Sequence, residues 1–147
     1  MAQKTVGIAC DHAGFKLKEE LIKNLKEQGY FVNDFGTYSE ESCDYPDYAH
    51  PLAISVKNGD SNIGFSICGS GNGITMTVNK HAGIRGALCW TEEISILARQ
   101  HNDANICGIP ARFVSTQQAI SIVNTFLNTD FEGGRHLNRI NKIDISI

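Results

Sequence analysis

The sequence lacks several features that mark whole classes of protein. None of its apolar runs approaches the ~20 residues that a membrane-spanning helix needs. Its net charge is only −3 over 147 residues, so nothing indicates a nucleic-acid or membrane-surface partner. The first ten residues, MAQKTVGIAC, have neither the long apolar stretch nor the small-residue cleavage site of a secretory signal peptide. We therefore expect a cytoplasmic protein that binds neither membranes nor nucleic acid.

Cysteine patterns typical of secreted and zinc-binding proteins are also missing. The five cysteines are odd in number and widely spaced, which indicates reduced thiols; they are Cys10, Cys43, Cys68, Cys89 and Cys107. The five histidines form no H-x₃₋₅-H pair, and no C-x-x-C or H-E-x-x-H motif is present. Cys10 and His12 stand two apart at a predicted strand end, a poor start for a tetrahedral site. The sequence therefore predicts no bound metal.

What the chain does have is an alternation of short apolar runs with segments of helical periodicity. The predicted strands are residues 5–10, 31–34, 63–67, 84–89 and 104–109. Helices are predicted after Gly14, after an N-cap at Asp47 with Pro51 in the first turn, after caps at Thr91 and Ser115, and from about 134 to 147. This order predicts one α/β domain over residues 1–147, with a largely parallel sheet covered by helices on both faces.

The stretch SICGSGNGI, residues 66–74, is the leading candidate for a ligand site. Ligands of open parallel sheets bind beyond the carboxyl ends of the strands, and this loop follows the third predicted strand. Gly69, Gly71 and Gly73 would let a ligand approach backbone N–H groups closely. The start of a following helix favours negative charge. The loop is thus predicted to bind a phosphate or an oxyanion that forms during a reaction.

Three familiar phosphate-binding motifs do not match this loop. The P-loop lysine is absent, and the dinucleotide pattern G-x-G-x-x-G after a first strand is replaced by G-x-G-x-G after the third. A cysteine phosphatase would need an arginine close behind the thiol, but position 74 is Ile and the nearest downstream arginine is Arg85. Two chemical roles are possible for the Cys68 thiol. It could be a nucleophile, or it could be a general base that removes a proton from a carbon atom next to a carbonyl group. The alternative, a small buried apolar residue, is favoured for the other four cysteines.

Other polar residues stand at predicted strand and helix ends. Asp11 and His12 follow the first strand, and His101 lies at the exit of a helix. Arg135 and Arg139 are four apart, a spacing that can form a fork for one phosphate. Each also has an ordinary structural explanation. Asp11 could be a helix cap next to a surface His12, and His101 a cation at a helix C-terminus. The two arginines could lie on a solvated helix face. For the two arginines, spacing alone slightly favours the solvated face.

Taken together, six segments resemble the type B ribose-5-phosphate isomerases and their relatives that act on allose and galactose phosphates. They are ACDHAGF at 9–15, DYPDYA at 44–49, ICGSGNGI at 67–74, NKHAGIRGALC at 79–89, RQHNDANI at 99–106 and EGGRHLNRI at 132–140. The resemblance runs from residue 7 to about 140, in the family's order. It implies a Rossmann-like three-layer α/β/α sandwich around a five-stranded parallel sheet. It also implies interconversion of ribose 5-phosphate and ribulose 5-phosphate through an enediolate, with no cofactor or metal.

The resemblance also assigns roles to individual residues. Cys68 matches the catalytic base, Ser70 the residue that assists it, and His101 the acid that opens the furanose ring. Some members instead carry a glutamate base seven residues further on, where this chain has Thr75. The substrate-binding residues that it implies are the loop Gly69, Ser70, Gly71, Asn72 and Gly73, the sugar contacts Asp11, Tyr45 and Asn102, and the phosphate contacts His12, Arg112, Arg135 and Arg139. Pro110-Ala111 replaces a common Gly-[Ser/Ala] pair before Arg112, which affects how that arginine is placed.

The resemblance finally implies at least a dimer with sites at the subunit interface. We expect a homodimer or homotetramer with shared active sites, whose C-terminal helix lies at that interface and whose ligand is a phosphosugar. Two alternatives stay open. One is an isomerase of a six-carbon sugar phosphate such as allose or galactose 6-phosphate. The other is a non-catalytic phosphosugar-binding protein, which would keep the arginines but have no need of Cys68 and His101.

Overall fold

A computed structural model describes residues 4–145, which are built around one sheet of five parallel strands. The strands are β1 Thr5–Cys10, β2 Phe31–Asp34, β3 Ile63–Cys68, β4 Gly86–Leu88 and β5 Ile106–Pro110, in the order β2-β1-β3-β5-β4. The helices are α1 Phe15–Glu27, α2 Pro46–Asn58, α3 Asn72–Val78, α4 Glu92–Asn102, α5 Thr116–Leu127 and α6 Arg135–Ile140. No helix in residues 4–145 has the length and apolar character required to cross a bilayer.

Helices cover the sheet on both faces, as expected for buried parallel strands. On one face α1, α4 and α5 pack a core that includes Leu21, Phe65 and Phe126. On the other face α2 and α3 pack a second core that includes Leu52, Ile74 and Ile106. The expected three-layer α/β/α sandwich with a five-stranded parallel sheet is confirmed.

The register of the sheet brings three strand ends to one level. Cys10 at the end of β1 pairs with Ile67 of β3, and Cys68 at the end of β3 pairs with Pro110 of β5. Because all strands are parallel, these residues share one edge of the sheet, which we call the carboxyl edge. The opposite side, where the strands begin, is the amino edge.

Two predicted helix caps are confirmed, and the start of α2 was predicted wrongly. Thr91 accepts a hydrogen bond from the N–H of Ile94, and Ser115 and Gln118 form a reciprocal capping box. The helix α2 begins at Pro46 rather than after Asp47, with Tyr45 at its N-cap. Proline is well suited to the first helical position because its φ is preset and its missing N–H would be unpaired there anyway. Pro51 consequently lies in the second turn, not the first.

The last strands and helix are shorter or shifted relative to their predictions. Strand β4 spans Gly86–Leu88 instead of 84–89, and β5 starts at Ile106. Helix α6 ends at Ile140 instead of continuing toward residue 147, and residues 146–147 lie outside the described part. Beyond α6 the chain forms i→i−3 turns, and the Asp144 carboxylate accepts a hydrogen bond from the N–H of Gly83 at 2.9 Å. This anchor draws the chain toward the start of β4 and away from the helix axis.

An ion pair between a buried lysine and a partly exposed aspartate joins α1 to the end of β2. The side chain of Lys18 is fully buried, and its ammonium group donates to both carboxylate oxygens of Asp34, at 2.7 and 2.8 Å. The same carboxylate accepts from the N–H of Gly36 at 2.9 Å. The pair therefore fixes the loop that leaves β2 next to the carboxyl edge.

Replacing Asp34 by asparagine is expected to lower the free energy of unfolding by about 3 kcal/mol, because the buried Lys18 ammonium group would keep only the more distant carboxylate of Glu19, at 3.5 Å. The double variant Lys18→Met/Asp34→Asn should lose less than Asp34→Asn alone, since the buried charge is then gone. Urea denaturation measures both. Lys16→Met is the matched control: the Lys16–Glu40 pair is exposed, so its loss should cost under about 1 kcal/mol. Equal losses for Asp34→Asn and Lys16→Met would contradict this account.

Candidate active site

The thiol of Cys68 lies at the centre of the carboxyl edge. Cys68 ends β3, the middle strand, and is 5% exposed. Its neighbours are fixed from both sides: the N–H of Asp11 donates to the carbonyl of Ile67 at 3.2 Å, and the N–H of Ala111 donates to the carbonyl of Cys68 at 2.9 Å. The chain after Cys68 therefore leaves the sheet in a defined direction.

The glycine loop that follows is shaped by close neighbours. Gly71 has φ +77° at the N-cap of α3, and a Cβ there would also collide with Leu88. A Cβ on Gly73 would collide with the ring of Tyr45. Only glycine fits these two positions. Neither has room for a side chain, and Gly71 also has a backbone conformation that other residues rarely adopt.

The N–H groups of this loop remain available to a ligand. Asn72 N–H donates to the hydroxyl of Ser70 at 3.2 Å. Among the hydrogen bonds of residues 4–145, none uses the N–H groups of Gly69, Ser70 or Gly71 as donor. Three consecutive free N–H donors beside a thiol form a site suited to an oxyanion.

The exit of β1 contributes two polar side chains. The carboxylate of Asp11 is buried and accepts from the N–H groups of Ala13 and Gly14, at 2.9 and 3.3 Å, so it caps a short 3₁₀ turn. The ring of His12 accepts the N–H of Cys43 at Nδ1, at 3.2 Å. This bond fixes the tautomer of the neutral ring, whose Nε2–H is then a donor.

Two further predicted residues lie beside the loop. Tyr45 stacks its ring against Gly73, as described above. Arg112 reaches the loop from the end of β5: its backbone N–H donates to the carbonyl of Gly69 at 3.0 Å, and its guanidinium would be 3.1 Å from a Cβ on Gly69. The residues that the structure gathers at the carboxyl edge form what we call the cysteine half-site; they are Asp11, His12, Tyr45, Cys68, Gly69, Ser70, Gly71, Asn72, Gly73 and Arg112.

The remaining predicted residues lie at the opposite edge of the sheet. Helix α4 starts after β4 at the carboxyl edge and runs back, so that His101 and Asn102 in its last turn reach the amino edge. There the guanidinium of Arg85, just before β4, donates to the carbonyl of Asn102 at 3.1 Å. Strand β3 alone separates the two edges by about 17 Å, at ~3.3 Å per residue. One chain therefore does not bring His101 to its own Cys68.

Helix α6 accompanies His101 to the amino edge. Its His136 ring stacks on the His101 ring, with centroids 4.4 Å apart and planes 12° from parallel. Arg135 and Arg139 lie on the same short helix, and both are exposed. We call these residues, together with Asn102, the histidine half-site.

Sequence reasoning missed His136 and Glu132 as members of this group. Both lie within the EGGRHLNRI motif, at an i,i+4 spacing, but only the packing of α6 on α4 shows that His136 faces His101. Burial first, then the neighbouring His101 and Arg135, lower the pKa of His136. The i,i+4 spacing of an acid and a histidine was the available signal.

His101, Glu132 and His136 are of the types that bind transition metals, and their ligand atoms lie within 4.8 Å of one another. Their geometry does not fit one ion. An imidazole binds a metal in the plane of its ring, and two nearly parallel rings stacked face to face have no common in-plane position. The absence of a metal remains a prediction.

Two other thiols have the character predicted for buried apolar cysteines. Burial raises the pKa of Cys10 to about 12, and burial also raises the pKa of Cys107 well above its ordinary value. Such thiols remain protonated and unreactive at neutral pH.

The fold and the cysteine half-site define an open α/β protein with a thiol and a glycine-rich loop of unpaired N–H groups at the carboxyl edge of its sheet. The family model described as Ribose/Galactose Isomerase matches residues 6–143. The chain belongs to the ribose/galactose isomerase family, as the sequence motifs indicated.

Relatives with curated names and known structures agree with this membership. The chain is 43% identical over 140 residues to ribose-5-phosphate isomerase B of Escherichia coli K12, covering 95% of this chain and 94% of that protein. A crystal structure of the Thermotoga maritima ribose 5-phosphate isomerase superposes with a TM-score of 0.95 at 46% identity, over 97% and 99% of the two chains. The Mycoplasma genitalium ribose-5-phosphate isomerase B with bound ribulose-5-phosphate has a TM-score of 0.92 at 42% identity, over 97% and 95%.

The contact between Gly73 and Tyr45 yields a test of the loop geometry. Gly73→Ala is expected to lower the free energy of unfolding by about 1–3 kcal/mol, because the new methyl group collides with the Tyr45 ring. In a Tyr45→Ala background the same change should be neutral or stabilising, since alanine favours the helix. Urea denaturation of the four proteins measures the coupling. A cost for Gly73→Ala that is the same in both backgrounds would contradict the assigned contact.

Proposed function

We propose that this protein is an aldose–ketose isomerase that interconverts D-ribose 5-phosphate and D-ribulose 5-phosphate. The observation that carries the proposal is the Cys68 thiol beside three free N–H donors at the carboxyl edge. The similarity to proteins named ribose-5-phosphate isomerase B, one of them with ribulose-5-phosphate bound, supports the choice of substrate. The cytoplasm is the location that we propose, in keeping with reduced thiols.

The chemistry requires a base and an oxyanion site but no redox partner. Cys68, as thiolate, removes the proton from C2 of the open-chain aldose while the electrons of that C–H bond move to form an enediolate. The N–H groups of residues 69–71 stabilise the developing oxyanion, and the Ser70 hydroxyl assists the proton transfers. The hydroxyl proton on O2 passes to O1, and return of the first proton to C1 then gives the ketose. The sugar is both oxidised and reduced internally, so no cofactor takes part.

The phosphate is held by donors from both half-sites. His12 has its Nε2–H free, and Arg112 places a guanidinium beside the glycine loop. Arg135 and Arg139 add two exposed guanidinium groups, which are suited to bidentate phosphate contacts. Asp11, Tyr45 and Asn102 are the proposed partners of the sugar hydroxyls.

The complete site is proposed to form between two copies of the chain. The cysteine half-site of one copy lies against the histidine half-site of the other copy. His101 of one chain opens the furanose ring, and Cys68 of the other chain then isomerises the open-chain sugar. The separation of the two half-sites within a chain supports this arrangement. Exposed apolar side chains supply surface for association, among them Met76 on α3 and Leu137 on α6. A homodimer is the smallest such assembly, and a homotetramer contains the same pairs.

A six-carbon sugar phosphate is the second candidate substrate, because the family description includes galactose isomerases. Both substrates use the same base and the same enediolate. A coupled assay with ribose 5-phosphate, allose 6-phosphate and galactose 6-phosphate ranks them by kcat/KM. Binding of these sugars without turnover of any would instead favour a phosphosugar-binding protein.

Cys68→Ala is expected to abolish isomerisation and leave phosphosugar binding largely intact, because the thiol acts in the transition state. Iodoacetamide should inactivate the native enzyme, and substrate should protect it. Activity assays and isothermal titration calorimetry measure the two effects. Cys107→Ala is the matched control, since that buried thiol on β5 lies outside both half-sites. Near-normal kcat in Cys68→Ala would refute the assignment of the base.

Arg139→Ala is expected to raise KM by roughly tenfold or more, since a charge-assisted contact contributes about 1.5–3 kcal/mol. Mixing Cys68→Ala chains with Arg139→Ala chains should then restore activity, because some mixed dimers carry one intact site. Each variant incubated with itself under the same conditions is the control. Absence of recovery after verified subunit exchange, or a monomer by sedimentation at assay concentration, would refute the shared site.

A further inference from the structure

The stacked pair His101–His136 is held by more than the contact between the two rings. The backbone N–H of Glu132 donates to the carbonyl of Gln100 at 3.1 Å, and the guanidinium of Arg99 donates to the carbonyl of Thr129 at 3.1 Å. Two hydrogen bonds thus tie the segment that precedes α6 to the last turn of α4. The position of His136 relative to His101 is therefore set by the backbone.

The ring of His136 has an unusual environment for a structural histidine. Its side chain is almost fully buried, and within residues 4–145 its Nε2 has no hydrogen-bond partner. The carboxylate of Glu132 lies close by, with Nε2 and Oε2 3.6 Å apart, a distance too long for a hydrogen bond. A buried nitrogen that lacks a hydrogen bond is costly and calls for an explanation.

The charges around His136 favour its neutral form. The groups that face it are His101 on α4, Arg135 and Arg139 on α6, and Glu132 on the preceding loop. Burial first, and then the neighbouring His101, Arg135 and Arg139, lower the pKa of His136, while Glu132 acts in the opposite direction.

We propose that His136 is a positioning residue for His101: its ring, stacked on the His101 ring, fixes the orientation of that ring. The proposal rests on the proposed function, in which His101 opens the furanose ring. In that step His101 donates a proton to the ring oxygen as the C1–O4 bond breaks. The hydroxyl on C1 becomes the carbonyl, and its proton restores the imidazolium.

The stacking contact with His101 distinguishes His136 from an ordinary core residue. The Glu132 carboxylate, 3.6 Å from its Nε2, is too distant for a hydrogen bond and acts on the ring only through its charge. Glu132 is exposed and therefore weakens the positive field around the pair without forcing a proton onto His136.

A double-mutant cycle in kcat for ribose 5-phosphate tests the positioning role. His136→Ala is expected to lower kcat on the order of tenfold with little change in KM, because His101 loses its fixed orientation. His136→Phe keeps a flat neutral ring and should stay within about threefold of the native kcat. In a His101→Asn background, His136→Ala should cost nothing further. Equal fold losses in both backgrounds would overturn the proposal, since they would show that His136 does not act through His101.

NMR titration of the His136 ring protons tests the coupling without any substrate. His101→Asn should raise the pKa of His136, and Glu132→Gln should lower it further. Glu93→Gln, on the exposed first turn of α4, is the matched control and should leave it unchanged. An unchanged His136 titration in His101→Asn would overturn the coupling. A normal kcat in His101→Asn would instead refute the ring-opening role of His101, while the NMR coupling would still hold.

Discussion

The parallel pairing of β3 with β1 on one side and β5 on the other is the constraint on which the whole site depends. It places the ends of three strands at one level, so that Asp11, Cys68 and Arg112 emerge side by side. The same pairing requires each connecting helix to return to the amino edge before the next strand begins. His101, at the end of such a helix, is thereby carried away from the thiol of its own chain.

The conformation of the glycine loop depends on the side chains packed around it as well as on the position of the end of β3. The aromatic ring of Tyr45 and the side chain of Leu88 occupy the volume where side chains on Gly73 and Gly71 would lie. The loop that follows the thiol is thus mostly backbone, and the N–H groups of residues 69–71 donate no hydrogen bond within the described part of the chain. These N–H groups can be offered to a reaction intermediate.

Local patterns predicted the order of elements and placed Asp11, His12, Cys68 and the glycine loop at strand ends, whereas Tyr45 came only from the family resemblance. Strand ends, the caps at Thr91 and Ser115, and the glycine run are all local signals. The start of α2 was predicted wrongly because Pro46 was not weighed as a first helical residue, and α6 is shorter because Asp144 bonds to a distant loop. The stacking of His136 on His101 joins residues 35 positions apart through helix packing, which periodicity does not encode.

The separation of the two half-sites by the length of a strand has a kinetic consequence. In the proposed assembly the two chains are related by a two-fold axis, and each contributes one half-site to each of two active sites. A single chain has no complete site. Only the dimer is then active. At concentrations well below the dissociation constant of the dimer, the observed rate varies with the square of the total protein concentration. In such an assembly, dilution lowers the activity per chain because dimers dissociate. The amount of protein in the cell therefore determines the specific activity as well as the total activity.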